Sequence, residues 1–364
     1  QITTKSLNVT GLAAADRQYD GTNNAILTGT PSLPPAQSPG SGTSADGAPY
    51  AGDDLVLGGT ATGTFTDKHV GTSKPVAISA LTLGGAEAGN YALIQPSGFT
   101  ATISPRLTTV AAVFSTKVYD GTTASSGTPS ITPLLAPGDT TTHLFQIYQN
   151  ADAGIGNKVI VPSVAINDGN AGANYSVTLA NHTTGTITPA PVNVTLGSLA
   201  HVYDGTAKSA SAVTDPAGFE VNLTYNGASE APINAGSYTV TATITDPNHA
   251  GTATGTLVIE KAAATIGLSD LSQTYDGSPK SVTATATPEN LEVEITYDGS
   301  TAAPTNAGSY NVSVTADGPN HHGTATATLV IGKAVATIEL ANLSQTYDGS
   351  PKSITATTTP VDLT

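Results

Sequence analysis

The chain has 364 residues, enough for two to four domains, and its 12 basic against 27 acidic side chains give a net charge of −15. Such a surface repels a phosphate backbone and argues against nucleic-acid binding, while the absence of cysteine excludes disulfides, thiolate chemistry and Cys-ligated zinc. No apolar run approaches the roughly 20 residues that span a bilayer, so no membrane insertion is expected.

Along the chain, one turn signal recurs. It stands at Tyr19-Asp20-Gly21, Tyr119-Asp120-Gly121, Tyr203-Asp204-Gly205, Tyr275-Asp276-Gly277 and Tyr347-Asp348-Gly349, in steps of 100, 84, 72 and 72 residues. Late in each of the first four units a Tyr follows a small-residue turn, at Tyr91, Tyr175, Tyr238 and Tyr310. An exit strand comes last: ATISP to Pro105, GTITP to Pro189, GTLVIEKA to Ala262 and ATLVIGKA to Ala334. These landmarks divide the chain into units at 1–105, 106–189, 190–260 and 261–332, with the incomplete start of a further repeat at 333–364. A Pro/Gly/Ser-rich insert from Pro31 to Asp54 lengthens the first unit and reads as a disordered or meandering loop rather than a recognition loop.

Within the units the apolar period is 2. Val293, Ile295 and Tyr297 alternate with Glu292, Glu294 and Thr296, and Tyr310, Val312 and Val314 alternate with Asn311, Ser313 and Thr315. Such strands put one face on a core and the other in water. With turn clusters between them and no helical period, the pattern predicts an all-β chain of tandem immunoglobulin-like β-sandwich domains. The NAGSY turns before Tyr238 and Tyr310 suit a tyrosine corner, whose hydroxyl bonds back to upstream backbone. In Tyr-Asp-Gly the Asp can bond its own backbone and Gly supplies a positive φ, so the chain reverses, while the Tyr is read chiefly as a core plug. Each exit strand runs almost directly into the next domain without a Gly/Ser tether, which predicts an elongated rod, on the order of 150 Å for four domains in series.

On these residues units three and four resemble MBG domains: YDGTAKS or YDGSPKS, NAGSY, PNHAG or PNHHG, then GTLVIEKA or ATLVIGKA. His249 and His321 depart from that likeness, standing where the family usually has a Tyr. Unit one is similar to the related YDG domain through QYDGT, GTFTDKHVGTSKPV and LGGAEAGNYAL, and unit two matches it more weakly through KVYDGTT and AGANYSVTL. The resemblance implies a structural stalk or fibre of a large bacterial surface protein, such as a filamentous-haemagglutinin-like adhesin, extracellular or secreted, with no enzymatic activity. A glycan- or host-protein-binding adhesive module is the alternative.

No catalytic constellation stands out. The seven His are scattered, and neither a G-x-S-x-G elbow nor a phosphate-cradling glycine loop is present. No cofactor is expected. Calcium is the one metal worth weighing, with Asp53, Asp54, Asp168, Asp246 and Asp317 as candidates, although none lies in an EF-hand-type loop. The expected partners are neighbouring repeats of the same chain. The 32 residues of the fifth segment hold too few strands for a core, so either they reflect where the chain was cut or strands of another chain complete them in a filament.

Overall fold

A computed structural model of the protein describes residues 1–40 and 42–361. It is all-β: among the described residues the sole helical element is one 3-10 turn at Ala88–Asn90. The chain forms two compact units, Gln1–Ala190 with Pro247–His249, and Pro191–Asp246 with Ala250–Thr364.

The first unit holds two repeats. In the first repeat a six-stranded sheet runs in the order Thr10–Ala15, Asn24–Ser32, Val56–Phe65, Gly71–Gly84, Phe99–Ser104, Arg17–Gln18. A parallel pair, Lys5–Leu7 with Tyr91–Leu93, accompanies it. The second repeat has a four-stranded sheet, Thr116–Val118, His182–Thr188, Gly154–Asn167, Thr140–Tyr148, and a three-stranded one, Ser130–Thr132, Arg106–Ala111, Tyr175–Ala180.

The second unit repeats a simpler plan. In repeat three the hairpin Asn193–Gly197 with Ser211–Asp215 accompanies a four-stranded sheet, Ala200–Val202, Thr252–Glu260, Gly236–Ile244, Val221–Tyr225. In repeat four the corresponding elements are Thr265–Ser269 with Thr283–Thr287, and Ser272–Thr274, His321–Gly332, Gly308–Asp317, Glu292–Tyr297. The alternation of apolar residues explains the packing. Val312, Val314, Leu329 and Ile331 from the sheet meet Ile266, Leu268 and Ala284 from the hairpin, while Asn311, Ser313 and Thr328 on the opposite face stay in water. Beyond repeat four, Thr337–Ala341 pairs with Thr355–Thr359 in a largely exposed hairpin.

One feature of connectivity is common to the four repeats. A short strand just before Tyr-Asp-Gly pairs in parallel with the repeat's last strand: Arg17 with Ile103, Lys117 with Ile187, His201 with Ile259, Gln273 with Ile331. The first and last parts of each repeat are therefore joined edge to edge.

The described part of the Pro31–Asp54 insert is folded against its repeat. Asp46 accepts hydrogen bonds from Gln37 Nε2, Thr43 N and Ala48 N at 2.7, 2.9 and 3.0 Å, and pairs with Lys5 Nζ at 3.0 Å. These donors hold the Asp46 carboxyl far below the usual carboxylate range, the Gln37 amide first among them.

Candidate functional site at the Tyr-Asp-Gly turns

In the first four repeats the Tyr-Asp-Gly turn closes the parallel strand pair. In the first four copies the Tyr backbone N–H donates to the exit strand: Tyr19 to Ser104 O, Tyr119 to Thr188 O, Tyr203 to Glu260 O and Tyr275 to Gly332 O, at 2.8–2.9 Å. The next residue turns the chain. Its carboxylate accepts from the backbone N–H two residues on, from Thr22 to Asp20, Thr122 to Asp120, Thr206 to Asp204, Ser278 to Asp276 and Ser350 to Asp348, at 2.8–3.0 Å. Gly21, Gly121, Gly205, Gly277 and Gly349 then take φ of 75–85°, a region where a Cβ is disfavoured.

A cation sits on every one of these carboxylates. In the first two repeats it comes from two residues before the Tyr, Arg17 on Asp20 and Lys117 on Asp120, both at 2.6 Å. In the later three it comes from the loop after the turn: Lys208 on Asp204, Lys280 on Asp276, Lys352 on Asp348. The ammonium of Lys117, with the Thr122 N–H, brings the Asp120 carboxyl down to about 2. Asp204, Asp276 and Asp348 are likewise held below the usual range, each chiefly by its lysine. At Asp20 burial alone would raise the value, but the Thr22 donors and Arg17 more than offset it.

The Tyr rings do not share one environment: Tyr19, Tyr119 and Tyr203 pack in or against a core, and the core-plug reading fails at Tyr275 and Tyr347. Tyr19 is fully buried and meets Tyr175 of the second repeat edge-on, with centroids 5.6 Å apart. Tyr119 and Tyr203 are half-buried, with His249 and His321 edge-on to them at 5.3 Å. Tyr275 and Tyr347 are exposed, at 40% and 90%. In repeats three and four the buried core tyrosines are instead Tyr225 and Tyr297, whose hydroxyls accept from Ala210 N and Val282 N at 3.0 and 2.9 Å. Tyr297 belongs to a further Tyr-Asp-Gly, a tight turn between Glu292–Tyr297 and Gly308–Asp317, so the tripeptide alone does not define the site.

The late tyrosines divide as well. Tyr238 and Tyr310 donate to Asn234 O and Asn306 O at 2.9 and 2.8 Å, a short tyrosine corner. Tyr91 donates to Asp53 Oδ2 at 2.6 Å and accepts from Tyr50 N. Tyr175 donates to Asp139 Oδ2 at 2.7 Å and accepts from Ala136 N.

Asp139 is the centre of the first unit's polar junction, and sequence reasoning did not single it out. Its side chain is 1% exposed and also receives Tyr19 Oη at 2.9 Å and Lys68 Nζ at 3.0 Å. Burial, followed by the Asp139 carboxylate, pushes the Tyr175 hydroxyl well above its usual range, and hydrogen bonds to Tyr19 and Asp139 raise Lys68. Beside it, the fully buried Asn174 accepts from Val70 N and contacts His69 Nδ1, both at 3.1 Å, again joining repeats one and two.

The calcium candidates are not brought together. Asp53 takes the Tyr91 hydroxyl, and Asp54 accepts from Ala86 N at 3.3 Å. Asp168 is buried; burial would raise its carboxyl, but backbone donors from Gly172, Asn170 and Asn174 hold it below the usual range. Asp317 pairs with Lys261 at 2.7 Å and His322 at 3.3 Å, and the partly buried Asp246 follows the strand Gly236–Ile244. Among the described residues no group of three or more His, Asp or Glu is placed to hold a metal ion.

The YDG domain matches residues 3–98 and 104–184, and the MBG domain matches 192–263, 264–335 and 336–364. No match was found among curated proteins. Among solved structures, similarity extends to the four N-terminal Ig domains of Dscam1 isoform 4.44 (12% identity, 89% of this chain and 99% of that one, TM-score 0.23). It extends also to Sidekick-1 immunoglobulin domains 1–5 (9%, 91% and 79%, TM-score 0.25) and to the I9–I11 tandem of titin (11%, 62% and 100%, TM-score 0.21). The chain is thus a member of the YDG and MBG domain families, two YDG domains followed by MBG domains in tandem.

Proposed function

We propose that this chain is a stretch of stalk or fibre from an extracellular bacterial adhesin or surface filament, which projects or tethers and does not catalyse. One observation carries the reading: in each of the four repeats the strand before Tyr-Asp-Gly pairs in parallel with the exit strand, and the Tyr amide locks its end. A pull applied through the chain on either side of a repeat draws such strands past each other. The hydrogen bonds of the pair then share the load instead of opening one after another. Neighbouring repeats are the partners this role needs. The cation on each turn carboxylate neutralises it internally, so the role needs no bound metal.

Stretching a single molecule from its two ends should give discrete unfolding steps. Each should release a repeat of 72 to 100 residues, roughly 24–34 nm of chain at about 3.4 Å per residue. Smooth extension without steps would remove the tether reading.

A further inference from the structure

Two loops of the chain carry the same five-residue pattern, Pro247-Asn248-His249-Ala250-Gly251 and Pro319-Asn320-His321-His322-Gly323. Both are seated in the same way. Asn320 Oδ1 accepts the backbone N–H of Ala235 at 2.8 Å, in the Asn234-Ala235-Gly236 turn of repeat three, and its Nδ2 donates to Asn234 Oδ1 at 3.0 Å. His321 lies edge-on to Tyr203 of the same repeat, centroids 5.3 Å apart at 79°. Within the first unit, Asn248 Oδ1 accepts from Ala153 N at 2.7 Å, in the Asp152-Ala153-Gly154 turn, and His249 lies edge-on to Tyr119 at 5.3 Å and 76°.

The rest of the pattern has a role too. Asn248 O and Asn320 O accept from Ala190 N and Ala262 N, both at 2.9 Å. After each loop the chain passes so close to a neighbouring strand that a Cβ on Gly251 or Gly323 would lie 2.2 Å from Val192 O or Ala264 O.

We propose that the Tyr-Asp-Gly tyrosine and the x-Ala-Gly turn of one repeat form a socket for a Pro-Asn-His loop, and that the socket of repeat four, which no loop among the described residues fills, docks such a loop from another repeat of this kind. That socket has the same parts: Tyr275, and Ala307 in the Asn306-Ala307-Gly308 turn. They line a cleft of about 360 Å³ with Lys333, Ala334 and Pro360. Both Pro-Asn-His loops among the described residues are already seated, and Tyr275 is 40% exposed, whereas Tyr119 and Tyr203 are covered by their histidines. The occupant is fixed by the two filled examples: an Asn amide oxygen for the Ala307 N–H and an aromatic ring for Tyr275. The inference does not depend on the stalk reading or on where the protein resides.

Amide exchange on the full chain should show Ala153 and Ala235 protected and Ala307 exchanging freely; a protected Ala307 would contradict an open socket. A cyclised hairpin peptide copied from residues 312–327, added at up to about 1 mM, should shift the Ala307 amide and Tyr275 ring resonances saturably. The shifts should vanish with Asn320→Ala in the peptide or Tyr275→Ala in the chain. No shift, or a shift that survives Asn320→Ala, overturns the docking site. In the chain itself Asn320→Ala should speed exchange at Ala235 about tenfold while Val240 keeps its protection. An unchanged Ala235 would overturn the filled socket on which the open one is argued.

Discussion

Replacing Asp139 by Ala should cost the first unit about 3 kcal/mol of stability. The carboxylate is 1% exposed and satisfies two tyrosine hydroxyls and the Lys68 ammonium at once. Its loss strands hydroxyl groups that folding has removed from water, and an unpaired buried donor incurs its full desolvation cost with no hydrogen bond to offset it. Lys68 is 31% exposed and can turn to solvent, which keeps the penalty below that of a fully buried pair broken in two. Asp139→Asn keeps the shape and one acceptor and should cost less. If the ion pair matters as such, Lys68→Ala should cost markedly less in an Asp139→Ala background than in the native chain. Urea unfolding followed by tyrosine emission is suitable, since the chain has 13 Tyr and no Trp. A change below about 0.5 kcal/mol for Asp139→Ala would show that the node does not hold the two repeats together.

Leu329→Ala should destabilise repeat four by about 3 kcal/mol, and Leu257→Ala should do the same to repeat three. These leucines are fully buried, 72 residues apart, and occupy the same register position opposite Tyr310 and Tyr238. Each truncation leaves a cavity in a core of only a few large side chains, which has little capacity to collapse around it. A sandwich of this size buries only about 60% of its unfolded surface, so a loss of this size is a large share of its stability. Hydrogen exchange separates the repeats. Leu329→Ala should release the amides of Val312 and Val314 while Ile160 and Ile187 in the first unit stay protected. Equal loss of protection in both places would mean that the chain unfolds as one body.

The sandwich itself was legible because alternation is a local signal. Val312, Val314, Leu329 and Ile331 are buried where period 2 puts them, and Asn311, Ser313 and Thr328 beside them point to water. The Tyr-Asp-Gly turn was legible for a similar reason, since the Asp carboxylate and the positive-φ glycine act within three residues. What the tyrosine rings do was not legible. Tyr119 and Tyr203 meet histidines 130 and 118 residues later, and Tyr19 shares Asp139 with Tyr175 across 120 and 36 residues. No pattern inside one repeat encodes a partner in the next. Tyr225 and Tyr297 had a signal that could have found them: each ends a strand of alternating apolar residues, on the face that turns inward. The insert after Pro31 shows the opposite failure. Its composition suggests a loose loop, yet Asp46 and its donors, including Lys5 at the start of the chain, organise it.

The most direct test of the account compares two directions of pull on repeat four. Because the chain has no cysteine, introduced Cys pairs give unique handles. One pair near the two ends of the repeat, at 263 and 335, loads the parallel pair of Ser272–Thr274 with His321–Gly332 along its length. A second pair, at 308 and 331, peels apart the antiparallel strands Gly308–Asp317 and His321–Gly332 from one end. The account predicts that the first geometry yields at a force several times that of the second. Equal forces in the two directions would contradict it.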